Sequence, residues 1–123
     1  MTRVTGFGGV FIKAKNADTL REWYRKHLGI DVEEFGGAVF QIGGATTWNI
    51  FPASTTYFAP SSAPFMINYR VENLEAMLKI LREEGCDVDA KTEESEYGKF
   101  GWVMDPEGNK IELWEPPRMP GKD

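Results

Sequence analysis

The chain runs through one grammar twice, and that duplication constrains its fold more than any single motif. Gly29-Ile30-Asp31-Val32 recurs as Gly85-Cys86-Asp87-Val88, differing only at Ile30 and Cys86. Ahead of the first junction, Gly8–Lys15 alternates as a strand, with Val10, Ile12 and Ala14 on one face. Asn16 then suits a helix N-cap, because its side chain accepts from backbone N–H groups that the first turn leaves unpaired. Leu20, Tyr24 and Leu28, flanked by Trp23, make an apolar helical stripe over Ala17–Leu28, and Gly29 closes it. Ahead of the second junction, Phe65–Val71 is the strand, with Ile67, Tyr69 and Val71 on one face. Asn73 or Glu72 opens a helix striped by Leu74, Met77, Leu78 and Leu81, and Gly85 ends it.

Three strands are expected after each helix. They fall near Asp31–Phe35, Ala38–Ile42 and Thr46–Phe51, then near Asp87–Ala90, Gly98–Met104 and Lys110–Glu115. Gly44 to Pro52 keeps the spacing of Gly108 to Pro116. The expected fold is therefore α+β, two tandem βαβββ modules. Module 1 covers about residues 4–53, a Ser/Thr/Pro/Ala-rich linker about 54–63, module 2 about 64–117, and a tail 118–123. One helix covers only one face of each sheet, so neither module is expected to stand alone.

The last hairpin carries the chemistry. Asp105-Pro106-Glu107-Gly108 has turn residues in turn order, since Pro fixes φ early and Gly accepts φ > 0 late. In the following strand, Glu112 points away from Ile111 and Leu113. A carboxylate there is either part of a solvated face or a group lining a cavity. The run Trp102-x-x-Asp105-Pro106-x-Gly108-x-x-Ile111-Glu112-Leu113 resembles the end of the glyoxalase/bleomycin-resistance/extradiol-dioxygenase family, the vicinal oxygen chelate superfamily. With the repeat, the resemblance covers nearly the whole chain. It implies paired modules whose curved mixed sheets form a half-open cup, often completed in a homodimer. It also implies that Glu112 stands at the family's last metal-ligand position.

Cup-facing residues are the alternates of the helix-facing ones: Gly9, Phe11 and Lys13, then Met66, Asn68 and Arg70, then Lys110, Glu112 and Trp114. Either Trp48 or Asn49 enters from the fourth strand. Aligned on Asn16 and Asn73, the other family ligand positions fall on Gly9, on Trp48 or Asn49, and on Met66. Gly9 has no donor, Trp48 cannot coordinate, Asn49 is weak, and the Met66 thioether is too soft for hard divalent ions. Glu112 alone matches, short of the three or four protein ligands of a tight site. No cofactor is expected, and a divalent metal remains the alternative. The lone histidine, His27, suits the C-terminal end of its helix.

Without a metal, two roles for Glu112 stay open: a base in a lyase or isomerase, or a fixed anion paired with Arg70 or Lys13 that orients a ligand; in the enzyme alternative it can also be the sole protein metal ligand. Trp48, Trp102, Trp114 and Tyr97, with the loop rings Tyr57 and Phe58, read as walls for a small organic molecule, although aromatic residues mostly fill cores. The run Glu93–Lys99 reads as a solvated loop able to cover the cup. A purely structural or interaction module is the third reading. A net charge of −5 disfavours nucleic-acid and anionic-membrane partners. No apolar run approaches the roughly 20 residues of a membrane span. The N-terminus lacks a secretion signal's apolar core, and the single cysteine, Cys86, suits a reducing cytoplasm.

Overall fold

A computed structural model of the 123-residue chain describes residues 10–40 and 46–117. It divides into two compact units, Met1–Thr55 and Thr56–Asp123. In the first unit, helix α1 spans Ala17–Leu28. Its start and stop are local. The Asn16 side chain accepts from Thr19 N at 3.1 Å, and Gly29, at φ 67°, returns its N–H to the Tyr24 carbonyl. Leu20 and Tyr24 are its buried residues. Arg25 pairs with Glu22 one turn back on its polar face.

The strands expected around this helix do not form among the described residues. Residues 10–15, 30–40 and 46–51 carry no ladder. What replaces it near Gly36 is a tight turn, in which Glu33 N donates to the Gly37 carbonyl at 2.7 Å. Alternation gives a strand only where a neighbouring strand takes up its N–H and C=O groups. Here the alternating side chains stand in solvent, with Phe11 96% and Trp48 70% exposed. The expected Gly9 position and residues 41–45 lie outside the described residues.

The second unit carries a mixed sheet. Strand β1 spans Ile67–Arg70, α2 Leu74–Glu83, β2 Asp87–Val88, β3 Glu93–Ser95, β4 Gly98–Met104 and β5 Lys110–Glu115. The order is β1-β5-β4-β2, with β3 also pairing β4; β1 and β5 are parallel, the other pairs antiparallel. The Glu93–Lys99 run corrects its reading as a covering loop. Glu93 to Ser95 pairs with Phe100 to Gly98 as a short hairpin.

Alternation sorts the sheet's two faces. Val103 pairs with Ile111, and Gly101 with Leu113, on the face that α2 covers with Leu74, Leu78 and Leu81. Gly101 lets the helix approach, since a Cβ there would lie 2.9 Å from a Leu78 methyl. These residues form the core of the unit. Asn73 caps α2 by accepting from Ala76 N, and Glu115 of β5 accepts from Leu74 N at 2.9 Å, tying the helix start to the sheet. No helix among the described residues is long and apolar enough to cross a membrane.

Candidate functional site

The face of this sheet opposite α2 presents the other alternates. Asn68 of β1 and Trp102 of β4 both stand opposite Glu112 in the register, while Arg70 and Phe100 stand opposite Trp114. Two flanking strands thus aim their side chains at one carboxylate on the central strand.

Glu112 is only 8% exposed and meets three donors. The Asn68 amide donates to Oε1 at 2.8 Å. The Trp102 indole N–H and the Tyr57 hydroxyl donate to Oε2 at 3.0 and 2.5 Å. Three neutral donors, in place of the expected cation, hold the carboxylate. They complement a buried anion, since each directs a polarised hydrogen at it. Burial first, then the hydrogen bond to Glu112 and its charge, push the Tyr57 hydroxyl above its ordinary range, so it is held as a donor.

Tyr57 comes from the former linker, folded through successive turns: Ala59 N donates to the Thr56 carbonyl and Ser61 N to that of Phe58. Its ring meets Trp102 edge to face, at 5.9 Å and 87°. Lys110, two residues before Glu112 on the same face, donates to the Tyr57 carbonyl at 2.8 Å. Its ammonium lies 5.5 Å from the Tyr57 ring centroid and 5.3 Å from that of Trp102. Beside this cluster is a cavity of about 320 Å³, lined by Trp102, Met104, Lys110 and Pro60 with the β2 edge from Asp87 to Ala90. That volume is at the small end for organic-ligand sites.

The expected residues divide by unit. Asn68, Arg70, Trp102, Glu112 and Trp114 share the face of the second unit's sheet opposite α2. Trp102 is only 3% exposed, its indole N–H given to Glu112. Trp114 stacks on Phe100 and donates to the Tyr97 carbonyl at 2.7 Å, and the Tyr97 side chain is 68% exposed. Met66 precedes β1, half-buried. Phe11, Lys13, Trp48 and Asn49 lie exposed in the first unit, outside any strand. Cys86 is half-buried. Sequence reasoning gave Tyr57 only as a loop wall, and Lys110 only as cup-facing. Nothing local ties residue 57 to residue 112, although the alternation of Lys110 with Glu112 was open to view.

Asp105, also buried, is a turn residue. It accepts from Glu107 N, Asn109 N and the Asn109 amide, which fixes the β4–β5 hairpin. Behind it on the helix face, burial and the Asp105 charge raise Tyr69 to about 12.

A family-type metal centre asks for lone pairs, and the groups around Glu112 offer hydrogens. Indole can only donate, and Tyr57 donates here. The side chains at this carboxylate do not fit a divalent cation.

The sequence profile of the Glyoxalase/Bleomycin resistance protein/Dioxygenase superfamily matches residues 6–113. Similar solved structures include TnmS3, an antibiotic binding protein from Streptomyces sp. CB03234, at 19% identity and a TM-score of 0.63, covering 95% of this chain and 100% of that one. A glyoxylase/bleomycin resistance protein/dioxygenase domain from Frankia sp. EAN1pec is 16% identical with a TM-score of 0.58, covering 94% and 100%. At these identities the likeness is one of fold. No curated protein matches the chain.

Proposed function

The chain belongs to the Glyoxalase/Bleomycin resistance protein/Dioxygenase superfamily, and we propose that it binds a small organic molecule on the aromatic face of the second unit's sheet, without the family's usual metal site. The observation that carries this reading is the donor-ringed Glu112 beside a cavity walled by Trp102, Met104 and Lys110. The walls combine Trp102, Val103 and Met104 with Lys110, Asp87 and Asp89, so the cavity offers apolar contact together with fixed charged groups. An antibiotic is what TnmS3 binds by its description; we extend to this chain only the class, a small organic ligand. Lys110 supplies a positive edge, and Glu112 a fixed acceptor. A homodimer, as the family resemblance implies, and a cytoplasmic location complete the proposal. Sedimentation of the purified protein tests the first, and fractionation of expressing cells the second.

A screen of small aromatic compounds, read by tryptophan fluorescence and calorimetry, tests the reading. Binding is expected to weaken at least about tenfold in Met104→Ala, which removes a wall without touching the Glu112 cluster. No binding across the screen would refute it and leave an interaction module.

A catalytic reading has one observation in its favour. Oε1 accepts a single bond, from Asn68, and keeps a lone pair that could take a proton from a ligand. On that reading Glu112→Gln abolishes turnover while ligand affinity persists. Turnover unaffected by that change would remove Glu112 from the chemistry.

A further inference from the structure

Tyr57 is a ring with a hydroxyl, and Trp102, Lys110 and Glu112 address one or the other. Its ring sits edge to face on Trp102 under the Lys110 ammonium, and its hydroxyl lies 2.5 Å from Glu112 Oε2. It arrives on a short strap of turns, and not from a sheet strand. The cavity of about 320 Å³ opens beside it, sharing Trp102 and Lys110 as wall and adding Pro60 of the same strap.

We infer that Tyr57 is an internal occupant of the binding site, and that the ligand class is a hydroxylated aromatic ring that takes its place. This rests on the proposed ligand-binding role and names the ligand. Phe, or any ring without a donor, could reproduce the contact with Trp102 but not the bond to Glu112. Removing the Tyr57 hydroxyl without replacement leaves a buried carboxylate oxygen with the Trp102 N–H alone. A site built to bond a hydroxyl rejects the analogue lacking it far more strongly than an apolar pocket rejects a missing methylene. The ligand therefore enters from the cavity, passes its ring over Trp102, and donates its O–H to Glu112 as the strap carries Tyr57 outward. Affinity is set by a competition, because ligand and Tyr57 offer the same group to the same acceptor.

The competition gives the test. Calorimetry is run with 4-methylphenol and with 4-methylanisole, which keeps the ring and the oxygen but has no O–H, on wild type and Tyr57→Phe. In wild type, 4-methylphenol is expected to bind at least about tenfold more tightly than 4-methylanisole. In Tyr57→Phe the internal competitor has lost its hydroxyl, so 4-methylphenol should gain a further tenfold or more; 4-methylanisole, which must displace the same residue, should gain by a similar factor, and the preference for the phenol should persist. Equal affinities for the two compounds in wild type would overturn the inference even if the variant fails to fold. So would an unchanged or weaker 4-methylphenol affinity in a folded Tyr57→Phe, since Tyr57 would then be a wall and not an occupant. Either result, alongside other ligands that bind and are sensitive to Met104→Ala, would leave the broader binding role standing. A screen without any binder would end both.

Discussion

Glu112 holds three donors together, so what replaces it decides how many of them lose a partner. In Glu112→Gln the amide oxygen can accept from Tyr57 and Trp102, and its NH₂ can face Asn68. The Asn68 amide is exposed enough to turn and offer its oxygen. All contacts then survive without the charge, and the cost is about 1 kcal/mol, the difference between charged and neutral hydrogen bonds partly offset by relief of a buried charge. In Glu112→Leu nothing accepts. Asn68 reaches water directly and Tyr57 can swing on its strap, but Trp102 is 3% exposed and its N–H is orphaned. The orphan, added to the lost charged bonds, brings the cost to about 3 kcal/mol. Urea unfolding followed by tryptophan fluorescence measures both, compared at equal m-value. Trp102→Phe isolates the orphan: in the Leu background it should cost clearly less than in wild type, because the N–H it deletes no longer has a partner. A Glu112→Leu protein as stable as Glu112→Gln, or additive behaviour with Trp102→Phe, would refute the hub.

Other outcomes follow from packing and titration. Leu81 of α2 is fully buried, and Leu81→Ala should cost about 2–5 kcal/mol in the same urea assay. Gly98 sits at φ 114°, and a Cβ there would stand 2.3 Å from the Glu115 carbonyl oxygen. Gly98→Ala should therefore destabilise by about 1–3 kcal/mol or more and loosen the β3–β4 hairpin, seen as faster amide exchange at Glu93–Ser95. Tyr57 and Tyr69 both have raised pKa values, Tyr69 to about 12. Above pH about 10 the unfolded phenols ionise while the folded ones keep their protons, so stability falls as pH rises from there. Tyr57→Phe and Tyr69→Phe should each flatten that alkaline decline in unfolding curves between pH 9 and 12; an unchanged slope in both would refute the burial argument.

Legibility tracked how local each cause is. Helix α1 and its caps Asn16 and Gly29 depend on contacts within a few residues, and the expected span is the observed one. Strands Gly98–Met104 and Lys110–Glu115 also match, because a tight Asp-Pro-Glu-Gly turn fixes both partners at once. The strand expected at Phe65–Val71 shortens to Ile67–Arg70, the residues in register with Ile111–Trp114 of β5. Glu93–Ser95 escaped notice because a strand of two glutamates and a serine has no apolar alternation to betray it. The first unit shows the converse: Val10, Ile12 and Ile50 have the pattern, but no ladder joins their backbone among the described residues. At the site, alternation placed Asn68, Arg70, Glu112 and Trp114 on one face, since side-chain parity is a local property. The bond from Tyr57 spans 55 positions and depends on how the strap folds, which no spacing rule reports.

Neighbouring side chains also decide what a metal would meet. The resemblance puts Glu112 at a ligand position, but a position coordinates only if its neighbours present lone pairs. A divalent ion at Oε2 would face the Trp102 N–H and the Tyr57 O–H across 3.0 and 2.5 Å bonds already made to that oxygen. Indole has no lone pair to turn toward it. Oε1 has room for one ion, with Asn68 turned to offer its carbonyl, which gives two protein ligands where tight sites use three or four. Incubation with nickel, cobalt, manganese or zinc, followed by desalting and elemental analysis, should therefore leave no stoichiometric metal that depends on Glu112. Retention of one equivalent, lost in Glu112→Ala, would mean that Tyr57 and Trp102 yield to the ion. The donor ring would then be a resting arrangement of a metal centre, and the proposed metal-free site would fall.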